Sequence, residues 1–289
     1  MSHELTIDRY SFCRVIDDLV DEASTHEQAK QSIQEASKLL NCKWSVERPV
    51  APMSDYNQPV NIDNFDQIYS SRLASSITLI PASRLSLTPL IELLAGFAMD
   101  LEFSSDEQRF PIIADADLEK YAQRVAGTVA ISLLELVFHY YPDANISSAE
   151  QRKIILAGER MGQALQYVNI SRDIKRDAAI GRVYIPITWL EEEEIKPLDV
   201  IGDPDDPRLA KFEQRMIQKA EQLHISSVQA IGKLPREVRG PIKTTVESYM
   251  MIADMVRSRR CSARIEKGKL KVPLWRRLTL AWREMYANL

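Results

Sequence analysis

The sequence predicts an all-α fold, and three observations carry that prediction. Apolar residues recur at three- and four-residue steps, as along Leu118, Tyr121, Val125, Val129, Leu133 and Val137, which is the spacing of one helix face. Alternating Val, Ile and Thr runs, the mark of half-buried strands, are scarce, and only 9 Gly occur in 289 residues. Proline falls between the periodic stretches, at Ile80-Pro81, Thr88-Pro89, Tyr141-Pro142 and Asp206-Pro207, where it punctuates helices without breaking them.

Each element follows from the same signals. Residues 7–23 and 26–41 read as the first two helices, with Ser24-Thr25 capping the second. Pro and Asn accumulate from Trp44 to Asn64, an irregular crossing, and Phe65 to Leu79 returns to helical spacing. Thr88 caps a helix that has Pro89 in its first turn and runs to Leu101. Ser104 to Asp115 is a polar connection into the long apolar helix ending near Tyr141-Pro142. Ser147-Ser148 cap the next helix, Gly181 ends it, and Val183 to Pro186 leave extended. Asp206-Pro207 opens a helix to about Gly232, Pro235 one to about Lys267, and Pro273 a last one. With no repeat and no low-complexity linker, residues 1–289 read as a single domain.

Composition excludes several function classes. A net charge of −4 gives no drive towards nucleic acid or an anionic membrane. The basic stretch from Arg257 to Arg283, with Trp275 and Trp282 interleaved, reads as a solvated helix face. Cys13, Cys42 and Cys261 are odd in number and far apart, which points to a reducing, cytoplasmic setting without disulfides. His3, His26, His139 and His224 lack metal-ligand spacing. No 18-residue apolar run stands out as a membrane span, so the expectation is a soluble protein, with peripheral membrane contact the only membrane role left open.

Two polar stripes carry the chemistry. Asn169, Asp173 and Asp177 fall at i, i+4 and i+8 in Met161 to Pro186, one face of a helix. An amide and two carboxylates, with no His or Cys, are an oxygen-only donor set suited to Mg²⁺ sharing its shell with a phosphate ester. Near the N-terminus, Arg14, Asp17 and Asp21 fall at i, i+3 and i+7, with Asp18 beside them. Like charges one turn apart repel, and two such helices facing one apolar cavity would need cations between them. Two acidic helices bridged by Mg²⁺ are a way to hold a diphosphate.

At these residues the chain resembles the squalene/phytoene synthase family, and within it most closely the fungal phytoene synthase domains. The first aspartate motif is Asp17-Asp18-Leu19-Val20-Asp21, preceded by Tyr-x-Phe-Cys-Arg at Tyr10 to Arg14. The second runs from Gln166 to Asp177 and is followed by Gly181, Arg182, Tyr184 and Pro186 of a Gly-Arg-x-Tyr-x-Pro signature. Leu94 to Leu101 and Tyr121 to Val129 are similar to two further family segments, and the likeness reaches the tail near Val272 to Arg277. The resemblance implies a class I terpenoid synthase helical bundle around a cavity, and an enzyme that ionises an allylic prenyl diphosphate, farnesyl or geranylgeranyl, with Mg²⁺. It implies metal positions at Asp17, Asp18, Asp21, Asn169, Asp173 and Asp177. Tyr121, Arg14 and Arg182 are the expected catalytic residues. Tyr10, Phe97, Gln166, Arg172 and Tyr184 are expected to line the substrate, and Tyr167 is a further candidate for an aromatic wall.

Two departures from the family pattern shape the functional expectation. The family carries roughly one more helix, with a Ser-Phe pair, before Tyr-x-Phe-Cys-Arg, whereas Met1 here stands sixteen residues before Asp17. The family's Arg-Tyr is Arg109-Phe110, and its Tyr-Cys-x-Tyr-Val is Tyr121-Ala-Gln-Arg-Val125. An intact diphosphate side with an altered acceptor side favours a single-substrate terpene cyclase. The alternatives are a phytoene synthase joining two geranylgeranyl diphosphates, and a non-catalytic assembly factor of the same fold.

Overall fold

The computed structural model describes residues 4–47, 72–142 and 146–258, and beyond these 265–266, 269–270, 272, 276 and 279, with side chains for those among 12–257 and for 272, 276 and 279. The chain falls into two compact units, Met1–Leu101 and Glu102–Leu289. The sequence has no linker at that boundary, which directly follows a helix end.

The first unit is built on α1 (Glu4–Asp21), α2 (His26–Glu47), α3 (Arg72–Thr78) and α4 (Leu87–Asp100). Helix α2 packs on the other three, and α1 also packs on α3. The buried face of α1 is Phe12, Ile16 and Val20, at four-residue steps, so burial leaves Arg14, Asp17, Asp18 and Asp21 off the core. The expected cap at Ser24-Thr25 is present: Thr25 Oγ1 accepts from the Gln28 N–H at 3.1 Å, and Gln28 Oε1 accepts from the Ser24 N–H at 2.9 Å. Trp44 belongs to α2 and not to the crossing expected there. It lies one turn past Leu40, is buried, and donates Nε1–H to Leu85 O at 3.0 Å. Helix α4 begins at Leu87 with Ser86 as its cap residue, so Thr88 lies inside the first turn. Of the expected helix Phe65–Leu79, residues up to 71 lie outside the described residues.

The second unit is organised around α7 (Ser148–Ala179), a helix of 32 residues. Against it pack α5 (Asp115–Ala122), α6 (Thr128–Tyr140), α9 (Pro197–Gly202), α10 (Leu209–Ile231) and α11 (Arg236–Ser258). A short α8 (Ile187–Glu191) and α9 were not expected from the sequence, being too brief for periodicity to show. The long helix expected from Leu118 to Val137 is interrupted by a π-helical segment, Gln123–Gly127, in which Thr128 N–H reaches back to Gln123 O. Helix α7 crosses that segment so closely that a Cβ on Gly162 would lie 2.5 Å from Ala126 O. Glycine is therefore required at 162 by approach. The run Asp115–Tyr140 has a window of mean hydropathy 1.2, long and apolar enough to cross a membrane, which the sequence reading passed over. Half of that window is buried within the protein, as in a core helix.

The helix expected to continue to Lys267 ends at Ser258, and Ile265–Glu266 pairs antiparallel with Lys269–Leu270 as β1 and β2. Apart from this two-residue pairing, the described elements are helical. Pro273 lies outside the described residues.

Candidate active site

The second stripe rests on α7, which Ser147 opens by accepting the Glu150 N–H at 3.3 Å. The neighbours Val168, Ile170, Ser171 and Ile174 are buried, which leaves Asn169, Asp173 and Asp177 on a half-buried strip as expected. Asn169 donates Nδ2–H to Gln166 Oε1 at 3.4 Å, while its Oδ1 is buried without a hydrogen-bond partner among the described residues. An orphaned acceptor of this kind asks for a donor or a cation. Arg172 grips Asp173 side-on, Nε to Oδ1 at 2.7 Å and Nη2 to Oδ2 at 2.6 Å, with both side chains 13% exposed. Asp173 thereby holds the guanidinium above its usual range against the opposing effect of burial, and the nearby Tyr249 and Asp177 act in the same direction. Gly181 ends the stripe at φ 76°, a left-handed conformation that Gly adopts freely. The chain turns back there, and the N–H groups of Ile180 and Arg182 both donate to Asp177 O, at 3.1 and 2.9 Å. Arg182 is thus tied by its backbone to the last residue of the stripe.

Tyr121 and Tyr184 come together in a buried aromatic cluster. Their rings stack with centroids 4.8 Å apart and planes at 27°, and Tyr121 is 4% exposed. Phe103 meets Tyr184 edge-on at 5.0 Å, and Phe110 meets Phe103 at 6.5 Å. Tyr167 is placed differently. It is 2% exposed, with Lys219 Nζ 5.9 Å from its ring, and Lys219 pairs with Asp115 at 3.0 Å. Burial, with Glu119 and Asp115 nearby, pushes its hydroxyl well above the usual tyrosine range. Tyr167 thus sits where α7, α10 and α5 meet.

In the first unit, Asp17 is half-buried and Asp21 exposed on α1. Asp18 is engaged on both oxygens, Oδ1 by Arg14 Nε and Oδ2 by Arg72 Nη2, each at 2.9 Å. Phe97 is half-buried on α4. Tyr10 lies in α1, and its side chain is outside the described residues.

The donor chemistry of Asn169 and its stripe fits a hard cation, since it is oxygen throughout and one oxygen lacks a partner. Among the described residues no three His, Cys, Asp or Glu gather closely enough to form a metal cluster by themselves. Asp18 and Asp173 also have both oxygens taken by arginines. Sequence reasoning missed Tyr249, Arg72 and Phe103. Tyr249 and Arg72 sit in helices with no motif around them. Phe103 stands just before a stretch read as a polar connection.

Residues 7–276 match the squalene/phytoene synthase family. The chain is 44% identical over 276 residues to a bifunctional lycopene cyclase/phytoene synthase from Arthroderma gypseum, covering 96% of this chain and 45% of that one. A protein of the same description from Aspergillus oryzae is 42% identical over 278 residues, covering 96% of this chain and 46% of the other. The chain therefore spans just under half the length of these relatives. Among solved structures, a dehydrosqualene synthase superposes with a TM-score of 0.70 at 19% identity, over 97% of this chain and 85% of that one. A squalene synthase from Alicyclobacillus acidocaldarius superposes with a TM-score of 0.62 at 18% identity, over 87% and 81%. The fold is the isoprenoid synthase helical fold, and the chain belongs to the squalene/phytoene synthase family.

Proposed function

We propose that the chain is an enzyme that joins two geranylgeranyl diphosphates head to head, the phytoene synthase reaction. One observation carries the reading: the match over 96% of the chain to relatives whose names pair lycopene cyclase with phytoene synthase. Of those two named activities, the family that matches residues 7–276 supports the second. The expectation of a single-substrate terpene cyclase gives way to this alternative. It rested on a helix missing before Tyr10 and on the altered Arg109-Phe110 and Tyr121-Ala-Gln-Arg-Val125 segments. A chain spanning 45% of its relatives gives no measure of what wall an acceptor pocket has.

The chemistry begins with loss of diphosphate from an allylic carbon, the leaving oxygen taking the electron pair and a carbocation remaining. Arg14, Arg172 and Arg182 supply planar forks of N–H donors for the phosphate oxygens. Arg172 exchanges Asp173 for phosphate, which releases the Asp173 oxygens. Mg²⁺, when bound by Asn169, Asp173 and Asp177, would act as a Lewis acid on the diphosphate, and Asp17 and Asp21 are a second oxygen donor set suited to the same ion type. Gln166 orients Asn169 through their shared hydrogen bond. Tyr121, stacked on Tyr184 and buried, offers a π-face to the cation.

The test is incubation with Mg²⁺ and labelled geranylgeranyl diphosphate, then measurement of product carbon count. A product with doubled carbon count is expected. A hydrocarbon with the carbon count of one chain, from this or farnesyl diphosphate, would restore the cyclase. Failure to release diphosphate at all would leave the assembly-factor reading.

A further inference from the structure

We propose that Asp18 is a bracket and not a metal ligand, holding Arg14 and Arg72 side by side as a clamp for a diphosphate group. The proposal rests on the prenyl diphosphate reading above and adds to it a second binding cation, Arg72, from a helix with no motif.

The geometry is that of one carboxylate shared by two guanidinium groups. Arg14, four residues before Asp18 on α1, contacts Oδ1 through Nε, and Arg72, the first residue of α3, contacts Oδ2 through Nη2. Each arginine spends one nitrogen on Asp18, and among the described residues neither has a second acidic partner. Arg14 keeps both terminal nitrogens, and Arg72 keeps Nε and Nη1. The carboxylate is 15% exposed, whereas Arg14 and Arg72 are 59% and 63% exposed, so the anion sits inward and the unused donors sit in water. Two cations and one anion leave a net positive charge at the side of an acidic motif. A Mg²⁺ ion at Asp18 would have to displace two charge-assisted bonds and join two cations. An anion meets no such obstacle: it finds two forks already fixed relative to each other, which lowers the ordering cost of binding. Surface ion pairs add little stability, so tethering α3 to α1 would be a small return for three aligned charges.

The experiment measures binding of inorganic pyrophosphate to the full chain by calorimetry, with and without Mg²⁺, for wild type, Arg72→Gln, Arg72→Lys and Asp18→Asn. Arg72→Gln is expected to weaken binding about tenfold, the scale of one charge-assisted hydrogen bond, and the difference should shrink at high salt. Arg72→Lys keeps the charge and loses the fork, and is expected to fall between the two. This milder variant serves if Arg72→Gln does not fold. Binding equal to wild type in Arg72→Gln, or in Arg72→Lys should that one alone fold, would overturn the clamp whatever the melting temperature does. Asp18→Asn is expected to weaken pyrophosphate binding equally with and without Mg²⁺. A rise in the Mg²⁺ concentration needed for half-maximal binding would return Asp18 to the metal set. The two readings fail separately. A wild type that binds pyrophosphate through Arg72 but leaves prenyl diphosphates intact would sink the enzyme and keep the clamp. Turnover with unaltered affinity in Arg72→Gln would do the reverse.

Discussion

Tyr121 and Tyr184, 63 positions apart, lie with their rings stacked 4.8 Å between centroids, closed on one side by the edge of Phe103. The stack orients the Tyr121 ring from across the fold. Tyr184→Ala should lower stability by about 3 kcal/mol, the usual cost of deleting a buried aromatic, and should also depress turnover by freeing Tyr121. Tyr184→Phe keeps the ring and should retain most of both. Denaturant melts and diphosphate release, measured on the same preparations, check the pair.

Asn169 and Asp173 share a stripe but should respond oppositely to removal. Asn169→Ala deletes a buried acceptor that has no partner, so stability should hold or rise slightly while diphosphate release is lost. Asp173→Ala also abolishes release, but strands the half-buried Arg172 without its carboxylate. The expected cost is about 2 kcal/mol, less than for a fully buried pair because both side chains keep some water. Sequence reasoning alone expects this second variant to keep its stability, because it removes one of several like charges that repel along the stripe. Thermal melts of the two variants separate the cases.

Gly162→Ala should be the most damaging single methyl addition in the second unit. Its Cβ would meet Ala126 O at 2.5 Å and Ala126 C at 2.8 Å, backbone atoms that cannot turn aside. Overpacking of this kind costs about 1–3 kcal/mol. Gly202→Ala meets nothing within 4 Å and serves as the harmless control. Chemical denaturation of both checks the contrast.

Alkaline stability should depend on Tyr167. Its pKa is raised in the folded state, chiefly by burial, above the ordinary 10.0 that the unfolded chain regains. Below that value the folded and unfolded chains carry the same protonated phenol. Above it only the unfolded chain releases the proton, so stability is lost as pH rises from there towards the folded pKa. Tyr167→Phe should flatten this loss, seen as a melting temperature that falls less steeply with pH above 10 than in the wild type.

Much of the fold was legible because its helices bury one face each. Phe12, Ile16 and Val20 show that face at four-residue steps, and Arg14, Asp17 and Asp21 keep helical spacing on the other side of the same helix. Periodicity could not reveal where a helix changes pitch, as at Gln123–Gly127, or where a six-residue helix forms by local capping. Asp199, for instance, accepts the Lys196 N–H at 2.8 Å to open α9. At the site, spacing identified which carboxylates share a face, but not which of them are already held. Asp18 and Asp17 are adjacent letters of one motif, and only folding brings Arg72 to the first. Tyr249 was invisible for the same reason: its neighbour Arg172 is 77 positions away, and no local pattern links them.

The π-helical segment has a consequence for how this protein tolerates change in length. Each residue advances a helix by about 100°, and a π turn is in effect one residue more than an α-helix needs. Tyr121 before the segment and Leu134 after it therefore belong to two helical registers, joined by a single surplus residue. A substitution between Gln123 and Gly127 leaves both registers in place. Deletion of one residue there lets the segment tighten to an α-helix with both flanking faces still in place, because the surplus residue is the one removed. Deletion in the regular α-helical turns on either side has no surplus to draw on and would turn Tyr121 away from Tyr184, or the buried Leu134 of α6 off Gly158, by about 100°. The information that aims this tyrosine thus lies in the number of residues around it as much as in their kind.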